Sequence, residues 1–205
     1  MSHYFESPEP SAAPAREREV TATIWGRDHR FTSANGVFSG SRLDPGTAVL
    51  FRETTPPAGD GIRLLDLGSG FGPITVALAA ACPGASVDAV DVNSRAVELT
   101  RANASSAGVG DQVFAGSPDE VLARDARYEQ IWSNPPIRIG KQALHELLLT
   151  WLPRLAPGGE AWLVVSKNLG ADSLQQWLVS EGWACAKHAS AKGFRVLRVT
   201  RPEDD

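Results

Sequence analysis

The fold of this chain can be read outward from the stretch Leu64-Leu-Asp-Leu-Gly-Ser-Gly-Phe-Gly72, which Pro73-Ile-Thr75 follows directly. A short apolar strand runs into three alternate glycines, after which an apolar helix begins. Glycines permit positive φ angles and let a ligand approach the main chain without a Cβ in the way. The stretch therefore predicts a nucleotide-like ligand at a strand-to-helix turn. The alternative is an ordinary tight turn without a ligand.

Around this stretch, short apolar runs alternate with helical segments from Ile62 to Thr200. Such alternation is typical of a parallel sheet whose strands are joined by crossover helices. The predicted strands are Ile62–Leu67, Ser86–Asp91, Gln112–Ala115, Glu129–Ser133, Glu160–Ser166, Ala184–His188 and Arg195–Thr200. The predicted helices are Pro73–Ala81, Ser94–Ala107, Pro118–Arg124, Gly140–Leu155 and Ala171–Glu181. Together they predict a three-layer α/β domain.

The N-terminal part of the sequence follows a different pattern. Residues 1–19 are rich in Pro, Ser, Ala and Glu, which predicts a flexible lead-in. Alternating apolar and Thr residues predict a small β-hairpin within residues 20–35, with its turn at Gly26-Arg-Asp28. Pro45 favours a helix over Leu43–Glu53. We therefore expect a single domain at residues 20–205 that begins with this hairpin.

Composition limits the classes of function. The chain has 205 residues, a net charge of -4 and a pI near 5.6, so no global charge draws it to a phosphate backbone. The apolar runs are shorter than a membrane span, and no export leader opens the sequence, so we expect a cytoplasmic protein. Cys82 and Cys185 have no neighbouring ligand residues, and we expect no metal site.

The spacing of the glycines distinguishes between nucleotide ligands. Dinucleotide-binding turns use G-x-G-x-x-G, whereas this turn reads G-x-G-x-G with Asp66 two residues before the first glycine. A carboxylate there attracts an ammonium or sulfonium group. S-adenosylmethionine carries both groups and is the predicted cofactor. The predicted contacts from the turn are Asp66, Gly68, Ser69, Gly70, Phe71 and Gly72.

Asp91 ends the second predicted strand. Its carboxylate is predicted to accept hydrogen bonds from both ribose hydroxyls. The alternative is a helix N-cap, a role for which Asn93 and Ser94 also qualify. The adenine is expected at the turn after the third strand, where either Ser117 or Asp119 would contact its exocyclic amine. The further predicted cofactor contacts are Asp91, Val92, Asn93, Ser117 and Asn134.

The segment Asn134-Pro-Pro-Ile137 follows the fourth predicted strand. Ligands gather outside the carboxyl ends of parallel strands, so this segment is expected to face the cofactor. Because the two prolines restrict the backbone, the Asn134 amide oxygen and the Pro135 carbonyl are predicted to act as paired acceptors for a planar amine. The alternative is a stiff strand exit with no chemistry. The predicted catalytic residues are Asn134, Pro135, Pro136 and Ile137.

With these motifs the sequence resembles the class I methyltransferases and, more narrowly, the methyltransferase small (MTS) domain family, which includes guanine-N2 methyltransferases of small-subunit ribosomal RNA. The narrower resemblance is carried by His3-Tyr-Phe5, Gly36-Val-Phe-Ser39, Leu43-Asp-x-Gly46, Asn134-Pro-Pro-Ile-Arg138 with Gly140-Lys141, and Gly193-Phe-Arg-Val196. It implies a Rossmann-like fold with a mostly parallel seven-stranded sheet and an antiparallel last strand. It also implies S-adenosylmethionine as methyl donor and an exocyclic base nitrogen as acceptor.

Two features bear on how RNA would be recognised. Many related enzymes have an aromatic residue after Asn-Pro-Pro that stacks on a flipped base, whereas Ile137 offers only apolar contact. Phe38 is predicted to supply the stack, with a place in the core as the alternative. Arg42, Arg138 and Lys141 are predicted to meet phosphates beside the target base, with ordinary solvated charge as the alternative.

The leading functional prediction is methylation of an exocyclic amine in RNA, above all guanine N2 of small-subunit ribosomal RNA. RNA or the small ribosomal subunit is the expected partner, and no membrane is expected. Protein glutamine methylation is an alternative, because release-factor methyltransferases also use Asn-Pro-Pro. Small-molecule methylation, which suits the acidic pI, is another. A non-catalytic module that binds S-adenosylmethionine or the ribosome is the remaining alternative, and the intact Asn134 argues against it.

Overall fold

The computed structural model describes residues 16–37, 42–136 and 140–202. Most of the predicted lead-in, up to residue 15, lies outside the described residues, and so do Phe38, Ile137 and Arg138. The predictions made for these three side chains stay predictions.

A seven-stranded sheet forms the centre of the protein. Its strands are β3 (Arg63–Leu67), β4 (Ser86–Val90), β5 (Val113–Gly116), β6 (Tyr128–Ser133), β7 (Leu155–Ser166), β8 (Ala184–Ala191) and β9 (Phe194–Thr200). Their order across the sheet is β5-β4-β3-β6-β7-β9-β8. Only the pairs that include β9 are antiparallel. The predicted fold class is confirmed. The order reverses between β3 and β6, and ligands of open α/β sheets bind at such a point.

Helices cover both faces of this sheet. They are α1 (Pro45–Glu53), α2 (Pro73–Ala81), α3 (Ser94–Ser106), α4 (Pro118–Leu122), α5 (Lys141–Trp151) and α6 (Ala171–Ser180). One hydrophobic core lies between the sheet and α1, α2 and α3, and a second lies between the sheet and α4, α5 and α6. Leu64 faces the first core and Leu65 the second, as the alternation of side chains along a strand requires. Among the described residues, no helix is both long and apolar enough to cross a membrane.

The N-terminal hairpin differs from its prediction in its start and its turn. It pairs β1 (Glu17–Ile24) with β2 (Arg27–Ala34), so Glu17 belongs to the hairpin and not to the lead-in. The turn is Trp25-Gly26, both with positive φ, instead of Gly26-Arg-Asp28. Trp25 is held in this unusual conformation because its indole N–H donates to the carbonyls of Phe51 and Thr54. These two bonds also fasten the hairpin to α1.

The boundary between α5 and β7 also differs from its prediction. The helix ends at Trp151 and a short 3-10 turn follows at Leu152–Arg154, so β7 begins at Leu155. Pro153 has no backbone N–H and cannot continue the helical hydrogen bonds, which explains the early end. The apolar side chains up to Leu155 suggested a helix because they are buried against the second core.

Candidate active site

The glycine-rich turn between β3 and α2 is fixed by its own main-chain hydrogen bonds. The N–H groups of Gly68 and Ser69 both donate to the carbonyl of Val90, at distances of 2.9 and 3.1 Å. The N–H of Gly70 donates to Asp91 Oδ2 at 2.9 Å, and that of Gly72 donates to the Ser69 carbonyl at 2.9 Å. A phosphate-binding turn points such groups at its ligand. Here these N–H groups are bound within the protein instead, so the turn is unlike a phosphate-binding turn. This agrees with the glycine spacing, which disfavoured a dinucleotide.

Two glycines of the turn have different surroundings. At Gly70, with a φ of +58°, an added Cβ would meet nothing within 4 Å, so the turn is open to a ligand there. At Gly72, with a φ of +89°, an added Cβ would lie 3.1 Å from Thr100 on α3. Gly72 therefore serves close packing of the turn against α3, while Gly70 leaves room at the exposed side.

We expect Gly72→Ala to lower the free energy of unfolding by about 2 to 4 kcal/mol, because positive φ strains alanine and Thr100 leaves no room for its methyl group. Gly108→Ala is the matched control, since Gly108 has a φ of +73° and open space around its Cβ position. Chemical denaturation should show a loss at Gly72 that exceeds the loss at Gly108 by about 1 kcal/mol or more. Equal losses would show that packing against Thr100 is unimportant.

Asp66 is fully buried at the end of β3. Its Oδ2 accepts hydrogen bonds from the backbone N–H and the hydroxyl of Thr75, at 2.9 and 2.6 Å. Its Oδ1 has no hydrogen-bond partner within the described part of the chain. Burial raises the pKa of Asp66 to about 7, and the nearby Asp91 carboxylate adds to the rise while Thr75 opposes it. A buried acceptor without a donor fits a cationic ligand such as the ammonium group of S-adenosylmethionine.

Asp91 lies directly after β4, beside the turn. Its Oδ1 accepts the N–H of Asn93 at 2.9 Å, and its Oδ2 accepts the N–H of Gly70. The N-cap of α3 is Asn93, whose Oδ1 accepts the N–H of Arg95. The capping alternative for Asp91 is therefore wrong. Burial raises the pKa of Asp91, partly offset by these backbone donors. Each carboxylate oxygen keeps a further lone pair, so the predicted contact with ribose hydroxyls stays open.

We expect Asp91→Ala to weaken binding of S-adenosylmethionine about tenfold, because two hydrogen bonds from ribose to a charged group would be lost. The melting temperature should also fall slightly, since the N–H groups of Gly70 and Asn93 lose their acceptors. Asp111→Ala is the control, because Asp111 is exposed in the short turn before β5. This turn lies at the amino ends of the parallel strands, whereas Asp91 lies at their carboxyl ends. An unaltered dissociation constant by calorimetry would contradict the ribose role.

The side chain of Ser117 has a structural role at the turn after β5. Ser117 and Glu120 form a capping box at the start of α4, in which each side chain accepts the backbone N–H of the other residue. Asp119 is exposed on the first turn of the same helix. The Ser117 hydroxyl oxygen keeps a second lone pair beside the hydrogen bond from Glu120, and the Asp119 carboxylate is an acceptor as well. The contact of either residue with the adenine amine stays a prediction.

Two other predicted cofactor contacts point their side chains away from the exposed side of the turn. Phe71 is buried against Phe31 of the hairpin, with ring centroids 5.8 Å apart. Ser69 is buried, and its hydroxyl accepts a hydrogen bond from Thr100. Alternating residues of a tight turn face opposite directions, and Ser69 and Phe71 face the protein. Any contact they make with a cofactor is therefore restricted to main-chain atoms.

Asn134 lies at the carboxyl end of β6, next to the turn. The hydroxyl of Ser133 donates to the Leu67 carbonyl at 2.6 Å and ties the end of β6 to the end of β3. Pro136 lies 3.9 Å from the position that a Cβ on Gly68 would take. The structure thus brings the predicted catalytic segment and the predicted cofactor turn together, although they are more than 60 residues apart in the sequence.

The orientation of the Asn134 side chain is defined by two acceptors. Its Nδ2 donates to Asp44 Oδ1 at 2.7 Å and to Thr47 Oγ1 at 3.0 Å. Because a carboxylate can only accept, the amide nitrogen must face Asp44. Both amide hydrogens are then in use, and the amide oxygen is the remaining hydrogen-bonding atom of the side chain. This is the atom that the sequence predicts as the acceptor for a reacting amine.

Two of the three basic residues predicted to contact RNA are among the described residues, and both are at the surface. Arg42 lies two residues before Asp44, and Lys141 is the first residue of α5. Both side chains are exposed, which is compatible with a phosphate contact and with solvated charge alike. Their role as RNA contacts stays a prediction.

Besides Asp44, three residues of the site had no predicted role. Thr75 binds Asp66, Thr47 binds Asn134, and Asn103 joins three elements. The Asn103 side chain exchanges hydrogen bonds with the backbone of Thr32 in the hairpin and donates to the Phe71 carbonyl. An Asn in the middle of an amphipathic helix pattern gives a weak signal, a polar residue on the buried face of α3. Thr47 and Thr75 gave none, because nothing in the local sequence shows that their hydroxyls bind side chains from other segments.

Comparison with known proteins identifies the family. The family model described as the methyltransferase small domain matches residues 28–198, which include most of the hairpin strand β2, the glycine-rich turn and Asn134. The chain belongs to the methyltransferase small domain family. The expected enzyme class, a methyltransferase, and the expected methyl donor, S-adenosylmethionine, are confirmed by this membership. Which residues hold the donor stays a prediction.

Relatives of this methyltransferase differ in length. The uncharacterized protein YbxB of Bacillus subtilis is 32% identical over 202 residues, which are 98% of this chain and 100% of YbxB. Ribosomal RNA small subunit methyltransferase C of Pseudomonas entomophila is 34% identical over 82% of this chain and 50% of its own length. The methyltransferase thus spans about half the length of the ribosomal RNA enzymes that it matches.

Solved structures confirm the fold. The T. thermophilus 16S rRNA N2 G1207 methyltransferase, in complex with AdoMet and guanosine, superposes with a TM-score of 0.77 and 27% identity, over 92% of this chain and 52% of that chain. A ribosomal protein L11 methylase of Lactobacillus delbrueckii has a TM-score of 0.63 at 20% identity, over 82% of this chain and 89% of that one. The second likeness concerns the fold alone.

Proposed function

We propose that this methyltransferase transfers a methyl group from S-adenosylmethionine to the exocyclic N2 of a guanine in small-subunit ribosomal RNA. The observation that carries the proposal is the orientation of Asn134, whose amide nitrogen is bound by Asp44 and Thr47 so that its oxygen is left to accept from an amine. The names of the Pseudomonas and T. thermophilus relatives support RNA as the substrate. A ribosomal substrate also supports the cytoplasm as the compartment.

In the proposed reaction, the Asn134 amide oxygen and the Pro135 carbonyl accept the two hydrogens of the guanine amine. This orients the nitrogen lone pair and stabilises the positive charge that develops on nitrogen as its bond to the methyl carbon forms. S-adenosylmethionine supplies the methyl group, and its sulfur keeps the electron pair of the broken bond. A proton then leaves the methylated amine for water. Asp66 and Asp91 are proposed to bind the ammonium group and the ribose of the donor.

The substrate is tested by transfer of a labelled methyl group from S-adenosylmethionine to small subunits, or to protein-free RNA, from cells that lack this enzyme. Digestion to nucleosides should place the label in N2-methylguanosine. Label removed only by protease would favour a protein glutamine instead, and label in neither polymer would favour a small-molecule acceptor. Tight binding of S-adenosylmethionine without any transfer would favour a non-catalytic module. Comparing subunits with protein-free RNA determines which of the two is recognised.

A further inference from the structure

The start of α1 reaches the proposed catalytic amide across 90 residues of sequence. Asp44 is the N-cap of this helix, and its Oδ1 accepts three hydrogen bonds: from Gly46 N at 2.7 Å, from Thr47 N at 3.2 Å and from Asn134 Nδ2 at 2.7 Å. Thr47, which is buried, adds its hydroxyl oxygen as the second acceptor for Asn134. One carboxylate oxygen thus fixes both a helix end and the Asn134 side chain.

An asparagine side chain without such partners can turn its amide by 180°, which exchanges nitrogen and oxygen. In the turned state, its N–H groups would face the donors of a substrate amine, and no hydrogen bond would form. Asp44 excludes that state because an N–H must face its carboxylate. We propose that Asp44, together with Thr47, is a positioning residue that holds the Asn134 oxygen toward the reacting amine. This inference rests on the proposed function.

The charge of Asp44 adds to this effect. A hydrogen bond from an amide N–H to a carboxylate is stronger than one between neutral groups, and it polarises the amide so that its oxygen becomes a better acceptor. The polarised oxygen lies where positive charge develops on the methylated nitrogen. Asp44 therefore acts through Asn134 in two ways, by orientation and by electrostatics.

Gly46 and Phe194 define the space in which the Asp44 carboxylate lies. A Cβ on Gly46 would be 2.9 Å from Asp44 Oδ1 and 3.0 Å from the Phe194 ring. Only glycine leaves this contact undisturbed. The structure thereby brings together three motifs that are far apart in the sequence, those around Asp44, Asn134 and Phe194. The hydrogen bond from Asn134 to Asp44 is a polar contact in this cluster.

The proposal is tested with Asp44→Ala and Asp44→Asn, measuring kcat, KM for RNA, the dissociation constant for S-adenosylmethionine and the melting temperature. We expect Asp44→Ala to lower kcat about 10- to 100-fold, with cofactor affinity within about twofold of the wild type. Asp44→Asn keeps an oxygen that caps α1 and accepts from Asn134, so it should recover most of the kcat. Thr47→Val, which removes only the second acceptor, should have a smaller effect than Asp44→Ala.

A double-mutant cycle separates positioning from helix capping. If Asp44 acts through Asn134, then adding Asp44→Ala to Asn134→Ala should not lower kcat by more than about twofold further. If Asp44 only stabilises α1, its effect on kcat should be the same in both backgrounds. That additive result, or a full kcat for Asp44→Ala, would overturn the proposal while leaving RNA methylation intact. Absence of RNA methylation by the wild type would instead overturn the proposed function, and the role of Asp44 with it.

Discussion

Asn134→Ala should lower kcat for RNA methylation by about 10- to 100-fold or more while the dissociation constant for S-adenosylmethionine changes little. The substitution removes the oriented amide oxygen, which is needed only when positive charge develops on the reacting nitrogen. The residues proposed to bind the donor lie mainly at the ends of β3 and β4, and the substitution does not change them. Single-turnover kinetics with calorimetry on the same preparation measures both quantities.

Gln175→Ala is a suitable control for this substitution, because the Gln175 amide also has a protein partner, the Cys185 carbonyl, but lies on α6 outside the site. Its turnover should stay within about twofold of the wild type, since no group of the reaction is touched. Melting temperatures of both variants check that the fold persists. If Asn134→Ala has the turnover of the wild type, Asn134 is not catalytic, and the strand-exit interpretation of Asn-Pro-Pro would be preferred.

Asp66→Asn should change the pH dependence of stability. The pKa of Asp66 is raised from an ordinary value of 3.8 to about 7, so the native protein binds this proton more tightly than the unfolded chain does. Without cofactor, the free energy of unfolding of the wild type should therefore fall as the pH rises from about 4 to 7. In Asp66→Asn this contribution is absent, and the melting temperature should fall less between pH 5 and pH 8. The raised pKa of Asp91 leaves a residual slope of the same sign.

The same variant should bind S-adenosylmethionine about 30- to 100-fold more weakly at pH 8, because the ammonium group would lose a buried carboxylate partner. For the wild type, affinity should increase as the pH rises through 7, since the cation binds the ionised form of Asp66. Asp111→Asn, at an exposed site, provides the control for both measurements. An unchanged affinity together with an unchanged pH slope would show that Asp66 has neither role.

Local sequence patterns were sufficient for most of the fold. Helix α2 was predicted with its observed bounds, because Pro73 marks its start and the apolar run marks its length. One error lies where a distant contact overrides a local preference: Trp25 adopts a positive φ that its residue type disfavours, since its indole is bound by α1. The other error is local. Residues 152–155 carry a helical apolar pattern, but the helix ends at Trp151 because Pro153 cannot continue its hydrogen bonds.

The sequence by itself was enough to predict the chemistry of the candidate site, because glycines at fixed spacing, an acid before them and Asn-Pro-Pro after a strand are local features of the chain. Parallel strands then place Asp66, Asp91 and Asn134 at one edge of the sheet. Only the tertiary structure decided which side chains face that edge and which are buried, as for Phe71, and which residue caps α3. It alone joined Asp44 to Asn134, since a hydrogen bond between residues 90 positions apart depends on how α1 packs on β7 and β9 and leaves no periodic signal in the sequence.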